Sequence, residues 1–317
     1  MTGRQLGAVA AIFFGGVGCM KADRLVAVQI DTVPTDALQP EIDGGGDAAW
    51  GRGPFSAPTP IVGLVSETTD VHGASLTKDE LEIYFACQLK GDPTFHIWSA
   101  TRPTLDSAWP AAVLVTKLFG SRFDVDPEIS PDGLTIYFSS DRLGAGFRLY
   151  VSQRSARDQQ WTNPQEVVEL TSSTMDRYGP SVDPTGLFMV FGSATQGDND
   201  YRLYSASRSR TDSSGVWGNV QELSGINSGR EDDDPALFHD SLSLIWSSRA
   251  YSNGKSWDLV EVSRPDLSAL FSAAPVFLTT LNTSYSDRYP WVSQDGTHIV
   301  FSIEPESSPG ALYEAWR

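Results

Sequence analysis

Aspartate recurs at five points along this 317-residue sequence, each time just before a predicted strand. If the five groups meet on one rim, mutual repulsion raises the pKa values of the carboxyls, and the rim attracts a cation such as calcium. A structural role is the alternative, because an aspartate before a strand accepts hydrogen bonds from backbone N–H groups. Recurrence in every copy favours the structural role. The residues concerned are Asp70, Asp124, Asp126, Asp176, Asp232, Asp233, Asp234 and Asp287.

Two of these aspartates are followed by an arginine and a tyrosine. An aromatic face for stacking beside charged groups for orientation suits a sugar or a peptide. Contacts between neighbouring repeats explain the same residues at least as well. The two segments are Asp176-Arg177-Tyr178 and Asp287-Arg288-Tyr289.

His72 stands close to the first aspartate and is the histidine that we would substitute first. No two of the four histidines have the spacing of metal ligands. The candidates for ligand binding at the rim are therefore Asp70, His72, Asp124, Asp126, Asp176, Arg177, Tyr178, Asp232, Asp234, Asp287, Arg288 and Tyr289.

No catalytic motif accompanies these candidates. The sequence has no nucleophile elbow, phosphate loop or dinucleotide fingerprint. A glycoside hydrolase needs one acid and one base or nucleophile at a defined separation, and the nearby glutamates, Glu128 and Glu231, do not stand out. We therefore predict no catalytic residue and no cofactor, and we leave open a structural or channel cation such as calcium.

A repeat of 53 to 55 residues organises the elements that carry these residues. Its most regular feature is a turn after a short strand, and a four-stranded propeller blade fits this period. Each copy reads as four strands, with aromatic and β-branched residues in the strands and Gly, Asp, Asn and Pro in the turns. The sequence predicts an all-β fold, a five-bladed β-propeller of four-stranded antiparallel blades. The turns are centred on Asp79, Asp132, Thr185, Asp240 and Asp295.

Two further positions keep step with the repeat. An arginine ends every third strand, and we expect a structural role in which it pairs with acidic neighbours. An aromatic residue introduces the fourth strand, where core or edge packing is the default. The residues are Arg102, Arg154, Arg208, Arg264 and Arg317, and Trp109, Trp161, Trp217 and Phe271.

The two ends of the repeat region complete each other. The fifth copy stops at Arg317 without a fourth strand, and residues 58–70 align without a gap to residues 164–176. We therefore predict that residues 61–65 pair beside residues 312–316 and close the ring. The predicted propeller spans residues 58–317.

The N-terminal segment predicts export. Arg4 precedes a short apolar run that ends at Cys19, which resembles a bacterial lipoprotein signal in which the cysteine is lipidated; a plain secretory signal is the alternative. Residues 20–57, rich in Ala, Asp, Gly and Pro, predict a flexible tether. The predicted location is therefore the outer membrane or cell surface as a lipoprotein, or the periplasm.

The charge of the chain limits its partners. A formal charge of −17 and a pI near 4.5 repel nucleic acid and anionic lipid surfaces. We expect a monomer that meets the membrane only through a lipid anchor at Cys19. The expected partners are a protein or a glycan of the cell envelope.

The second repeat resembles the TolB-type, WD-repeat-like propeller repeat. The resemblance covers residues 58–317 and implies a propeller, often of the bacterial envelope, that binds protein or glycan partners. TolB resembles a six-bladed propeller with an additional N-terminal domain, whereas this chain has five repeats. The resemblance therefore does not imply the specific role of TolB. We predict a non-catalytic binding or scaffold propeller with its ligand at a channel mouth. The alternative is a glycoside hydrolase, because five-bladed propellers host such enzymes. The matching run is Asp126-Pro127, Ser130-Pro131-Asp132-Gly133, Tyr137-Phe138 and Ser140-Asp141-Arg142-Leu143-Gly144.

Overall fold

A computed structural model describes residues 53–65, 68–89, 91–211, 215–251 and 254–317. The predicted signal with Cys19 and most of the predicted tether lie outside the described residues. Within the described ranges, no helix combines the length and the hydrophobicity that crossing a membrane requires.

The described chain forms five antiparallel sheets of four strands each, which confirms the predicted five-bladed propeller. Blade 1 holds β2 (Thr68–Leu76), β3 (Glu82–Leu89), β4 (Phe95–Thr101) and β5 (Val113–Leu114). Blade 2 holds β6 (Asp124–Ile129), β7 (Thr135–Ser140), β8 (Arg148–Gln153) and β9 (Gln165–Glu166). Blade 3 holds β10 (Met175–Val182), β11 (Phe188–Thr195), β12 (Arg202–Ser207) and β13 (Gly218–Glu222).

Blade 4 holds β14 (Asp232–Phe238), β15 (Ser243–Ser248), β16 (Asp258–Ser263) and β17 (Val276–Phe277). Blade 5 holds β18 (Ser286–Val292), β19 (His298–Glu304), β20 (Ala311–Trp316) and the N-terminal β1 (Thr59–Pro60). One short 3-10 turn, Val168–Leu170, follows β9.

Apolar clusters between blades form the core. Ile97 of blade 1, for example, lies in one cluster with Phe138 of blade 2. Radial stacking thus covers both faces of each sheet, which a single blade cannot do alone. Each second strand contributes one fully buried aromatic residue, namely Phe85, Phe138, Phe191, Trp246 and Phe301.

The repeated arginines are structural parts of each blade. Each guanidinium lies 4.2–4.6 Å from the centre of an aromatic ring, within cation–π range. Each Nε also donates a hydrogen bond to a backbone carbonyl of the turn between the first and second strands. The five stacked pairs are Arg102 with Trp109, Arg154 with Trp161, Arg208 with Trp217, Arg264 with Phe271, and Arg317 with Phe55.

The ring closes as predicted, through an N-terminal strand that completes the last blade. Thr59 pairs with Glu314, and the Ile61 N–H donates to the Leu312 carbonyl at 2.9 Å. The predicted range 61–65 was wrong, because the chain turns at Gly63, whose φ is 93°. The Leu64 carbonyl then accepts from the N–H of Ala112 in blade 1. The gapless alignment itself was right, since it matches residues 59–60 to β9.

Phe55 takes the place of the aromatic residue that the fifth copy lacks. It lies within the range predicted as tether, yet it is 3% exposed and belongs to the core cluster of blades 4 and 5. Its ring stacks on Arg317, as Trp161 stacks on Arg154. The packing of blade 5 therefore includes a residue before position 58.

Candidate functional site

The first strand of every blade faces the channel and has a bulge at one equivalent residue; β2 has a second, earlier bulge between Thr68 and Val71. We call this residue the bulge position. Its φ is positive in all five blades, a conformation that glycine adopts freely and that costs about 1–2 kcal/mol for other residues. Bulges and strained backbone cluster at functional sites, so the three blades without glycine here are the candidates. The residues are Gly73 (63°), Asp126 (51°), Gly179 (49°), Asp234 (54°) and Tyr289 (55°).

Two further positions of each first strand lie directly before the bulge position. The strand register aligns the residue just before the bulge, the pre-bulge position, and the residue before that, the leading position. The pre-bulge residues are His72, Val125, Tyr178, Asp233 and Arg288. The leading residues are Val71, Asp124, Arg177, Asp232 and Asp287.

The aspartates at leading positions clamp loops within their own blades. Each is fully buried and accepts a hydrogen bond at 2.6 Å from a backbone N–H four residues earlier. Asp124 also accepts from Arg142 at 2.5 Å, and Asp232 accepts from Trp246. Burial raises the pKa of Asp287 to about 8. In three blades the leading aspartate therefore accepts hydrogen bonds from the backbone, as the structural alternative in the sequence analysis expects. These aspartates are Asp124, Asp232 and Asp287.

Asp70 and Asp176 lie one residue before the leading position and tie neighbouring blades together. Asp70 accepts from the N–H of Gly310 in blade 5 at 2.6 Å. Asp176 accepts from the N–H of Phe147 in blade 2 at 2.9 Å. Five of the eight aspartates that the sequence groups on one rim thus occupy two positions with different roles.

Three other carboxyls converge with one arginine. Arg288 lies 2.9 Å from Asp234 and 3.8 Å from Asp233, while Asp126 and Asp234 line one small cavity of about 30 Å³ in the channel. Burial, and then repulsion by Asp234, raises the pKa of Asp126 to about 7. Burial likewise raises the pKa values of Asp233 and Asp234. We call Asp126, Asp233 and Asp234 the acidic cluster.

Aromatic side chains from all five blades surround this end of the channel. Consecutive ring centres are 4.3–6.4 Å apart. Arg288 bridges the one interval without a direct ring contact, at 4.2 Å from Trp257 and 4.4 Å from Tyr289. Most of the rings are only partly buried. We call this set the aromatic collar; in order it is His72, Phe95, Phe123, Phe147, Tyr178, Tyr201, Trp257 and Tyr289.

Besides Phe123, four members of the collar were missed in the sequence, although a signal was present for these four. Each stands seven residues before the repeated arginine of its blade, at the start of the third strand: Phe95, Phe147, Tyr201 and Trp257. Blade 5 has Gly310 at this position. A Cβ on Gly310 would lie 2.8 Å from the Asp70 carboxylate, so an aromatic side chain cannot replace this glycine without moving Asp70.

His72 belongs to the collar as a neutral imidazole. It is stacked on Tyr289 with ring centres 4.5 Å apart and lies 4.3 Å from the ring of Phe95. Burial, reinforced by repulsion from Arg288, lowers the pKa of His72 to about 3. His72 therefore carries no charge at neutral pH.

The two arginines that precede tyrosines differ in role. Arg177, at a leading position, donates to the Leu170 carbonyl and packs over Phe191 inside blade 3. Arg288, at a pre-bulge position, meets the acidic cluster and the collar. One step of strand register separates them, and it places Tyr178 before the bulge and Tyr289 at the bulge.

A metal ion has no ready set of ligands here. Among the described residues, no three His, Cys, Asp or Glu side chains are grouped so that they could hold a metal ion. The channel cation that the sequence left open stays a prediction.

Comparison with known proteins identifies the fold. No known sequence family and no curated protein matches the chain. The catalytic domain of a family 62 α-L-arabinofuranosidase from Coprinopsis cinerea is 10% identical, with a TM-score of 0.58 over 83% of this chain and 96% of that one. A family 117 glycoside hydrolase from Zobellia galactanivorans is 13% identical, with a TM-score of 0.54 over 83% and 90%.

A putative TolB from Agrobacterium tumefaciens is also similar. It is 16% identical, with a TM-score of 0.47 over 75% of this chain and 72% of that one. At these identities the likeness concerns the fold alone. The chain is a five-bladed β-propeller, and its solved structural neighbours include TolB proteins and glycoside hydrolases.

Proposed function

We propose that this protein is a non-catalytic glycan-binding propeller whose ligand lies against the aromatic collar. The collar carries the proposal, because it presents partly exposed ring faces from several blades around one end of the channel. Sugar rings offer apolar C–H faces for stacking, and their hydroxyls pair with carboxylates and guanidinium groups. Asp234 and Arg288 supply such groups beside Tyr289.

The collar favours a glycan over a protein, the other partner class that the sequence leaves open. Its aromatic residues come one or two from each blade, and charged groups stand behind them. Binding sites for small ligands share this composition: largely aromatic walls with a few polar groups that set orientation.

The test is binding of the full chain to a glycan array, followed by calorimetry on the best glycan. Tyr201→Ala should weaken binding about three- to tenfold, since one aromatic contact contributes ~0.5–1.5 kcal/mol. Tyr285→Ala is the matched control, because Tyr285 is an exposed tyrosine that is not a member of the collar. An array without any bound glycan, or equal loss in both variants, refutes the proposal.

Glycoside hydrolysis is the second candidate, and the pKa of Asp126 favours it. A carboxyl with a pKa near 7 can stay protonated at neutral pH and serve as a general acid. Arg288 beside Asp234 favours an ionised partner. The structural neighbours in families 62 and 117 share the fold.

Release of arabinose from arabinoxylan or arabinan tests this candidate. Hydrolysis that Asp126→Asn abolishes, and that Asp158→Asn leaves intact, would replace the non-catalytic proposal. Asp158 is exposed in blade 2 and serves as a control for the loss of one carboxylate.

Export belongs to the same proposal. We infer that the chain is anchored in the cell envelope through a lipid on Cys19, as the N-terminal sequence predicts. Incorporation of labelled palmitate into the wild type, and its loss in Cys19→Ser, is the expected result. The other cysteine, Cys87, is buried, so labelling that survives in Cys19→Ser contradicts the anchor.

A further inference from the structure

The collar end of the channel holds more acids than bases. Glu304 joins the three carboxyls of the acidic cluster there, and burial raises its pKa to about 7. Arg288 is the cation that acts on all four carboxyls in the described part of the chain. Since His72 is neutral, one positive charge faces four carboxyl groups.

Asp233 is the member of this group whose carboxyl is least satisfied. Its side chain is 3% exposed, and among the described residues its Oδ1 has no hydrogen-bond partner. Its Oδ2 is 3.8 Å from Arg288, beyond hydrogen-bonding distance. A buried carboxylate without partners is costly, so the group is suited to a partner that arrives with the ligand.

Asp233 also reaches the collar. A Cβ on Gly192 of β11 would collide with Oδ1 of Asp233, so only glycine leaves room for the carboxyl against blade 3. The charge of Asp233 acts on the hydroxyls of Tyr178 and Tyr201, two neighbouring rings of the collar. Among the carboxyls of the acidic cluster, Asp233 is therefore the one whose charge acts on both rings.

We propose that the glycan bound here carries protonated amino groups, as glucosamine chains do, and that one ammonium group pairs with Asp233 at the faces of Tyr178 and Tyr201. This rests on the proposed glycan function and specifies its ligand. An ammonium group is attracted both to aromatic faces and to a carboxylate. A neutral N-acetyl group lacks both attractions, and a uronate does not supply the positive charge that they require.

Calorimetry on the full wild-type chain tests the proposal with two hexasaccharides that differ only at nitrogen. The glucosamine oligomer should bind about tenfold more tightly than the N-acetylglucosamine oligomer at pH 6. The preference should shrink when ionic strength rises from about 0.05 M to about 0.5 M, because salt screens the ion pair. Because burial raises the pKa of Asp233, binding of the amine should ionise the group and release a proton. Buffers with different ionisation enthalpies reveal that release.

Two variants test whether Asp233 is responsible for the preference for the glucosamine oligomer. Asp233→Asn should reduce it to less than about threefold, since an amide keeps the volume and loses the charge. Asp158→Asn, at an exposed site in blade 2, should keep the full preference. If Asp233→Asn fails to fold, the two-ligand comparison on the wild type still decides.

Each failure has its own signature. Equal affinities for the two hexasaccharides overturn the amine preference and leave glycan binding intact. A trilysine peptide that binds as tightly as the glucosamine oligomer overturns the assignment to a sugar. If neither hexasaccharide binds and the glycan array is also empty, both this inference and the proposed function are wrong.

Discussion

The two ends of the blades treat the repeat in opposite ways. At the end that carries the turns between first and second strands, all five copies place an arginine against an aromatic ring and bind it to a turn carbonyl. At the collar end, the bulge position holds glycine in two blades, aspartate in two and tyrosine in one. A residue that recurs in every blade has a structural role in each blade. A residue that differs between blades has a role at one place in the ring.

The two ends also differ in how their buried charges are paired. The turn end has non-glycine residues at positive φ as well, namely Glu80, His239, Asp240 and Ser241. There, however, the buried charges of Arg154 and Glu82 form an ion pair at 2.6 Å. At the collar end, Asp126 and Asp234 adopt a strained φ, and Asp233 leaves one oxygen unpaired. Strain and unpaired polar groups are common where binding requires them. The repeated arginines thus stabilise the turn end, whereas buried acids cost stability at the collar end, where we propose that the ligand binds.

Arg154→Met should have the largest effect. It removes the ring contact with Trp161 and the nearest cation of the buried Glu82, which keeps the Tyr84 hydroxyl and, at 3.7 Å, Arg157. The expected loss is about 3 kcal/mol in the free energy of unfolding. Urea denaturation measures it. Arg122→Met is the control, because the Arg122–Asp141 pair is half exposed and should contribute less than ~1 kcal/mol. Equal losses would mean that the repeated arginine has no special role.

Asp126→Asn should change stability in the opposite direction. The folded pKa, about 7, lies above the ordinary value of 3.8, so ionisation of Asp126 destabilises the fold as pH rises from about 4 to 7. Asparagine tolerates positive φ and can still accept from the Gly179 N–H, now 3.2 Å from the carboxyl. The variant should gain on the order of 3 kcal/mol at pH 8 and almost nothing at pH 4.

Urea denaturation of the wild type and Asp126→Asn at both pH values measures this gain. Asp132→Asn, in an exposed turn at the other end, should show no comparable pH-dependent gain. If Asp126→Asn is less stable than the wild type at pH 8, the collar end does not carry the cost that we assign to it.

The sequence predicted the turn end better than the collar end, for a physical reason. The repeat spacing and the gapless match of residues 58–70 to 164–176 report strand order and closure, which depend on local patterns. Asp70 and Asp176 stand nine residues before their turn centres and Asp124 stands eight, so their offset is present in the sequence. What each aspartate contacts depends on strand pairing and on the neighbouring blade, which the residue order does not report.

The collar was harder still to foresee. Phe95 and Trp257 contact rings that are distant in sequence. The packing of neighbouring blades brings these rings together at one end of the channel. The shared distance of Phe95 and Trp257 from the repeated arginine is a sequence signal, but aromatic residues in strands are common enough to pass as core. The structure separates them from the core because their rings lie around the channel.

His298 tests the seam of the ring at the turn end. It lies 2.9 Å from Glu80 of blade 1 and 3.2 Å from Glu314 of blade 5, at the seam of the ring. Burial opposes the charged imidazolium, but hydrogen bonds to Glu314 and Glu80 outweigh it and raise the pKa of His298. The stabilisation is therefore complete below pH ~6.5, the unfolded value, and disappears as pH rises through the folded value.

His298→Gln should accordingly lose roughly 1–2 kcal/mol at pH 5.5 and much less at pH 9. The difference between wild type and variant is the quantity to measure, because buried carboxyls with raised pKa values, such as Glu128 and Glu304, change stability with pH in both proteins. A loss that is the same at both pH values would show that His298 acts at the seam by packing on Trp316 alone.

Two leucine substitutions, one at each end, should have the smallest effects on affinity and stability. They distinguish most directly between a role in binding and a role in folding. Phe147→Leu keeps an apolar side chain in the collar but removes its stacking face, so glycan affinity should fall about three- to tenfold while the free energy of unfolding changes by less than ~1.5 kcal/mol. Trp217→Leu at the turn end should lower stability, because Arg208 loses its ring at 4.5 Å, and should leave affinity unchanged. Calorimetry and urea denaturation on both variants give four numbers. If affinity follows stability in both variants, the collar is only another part of the core, and the variation among blades marks no binding site.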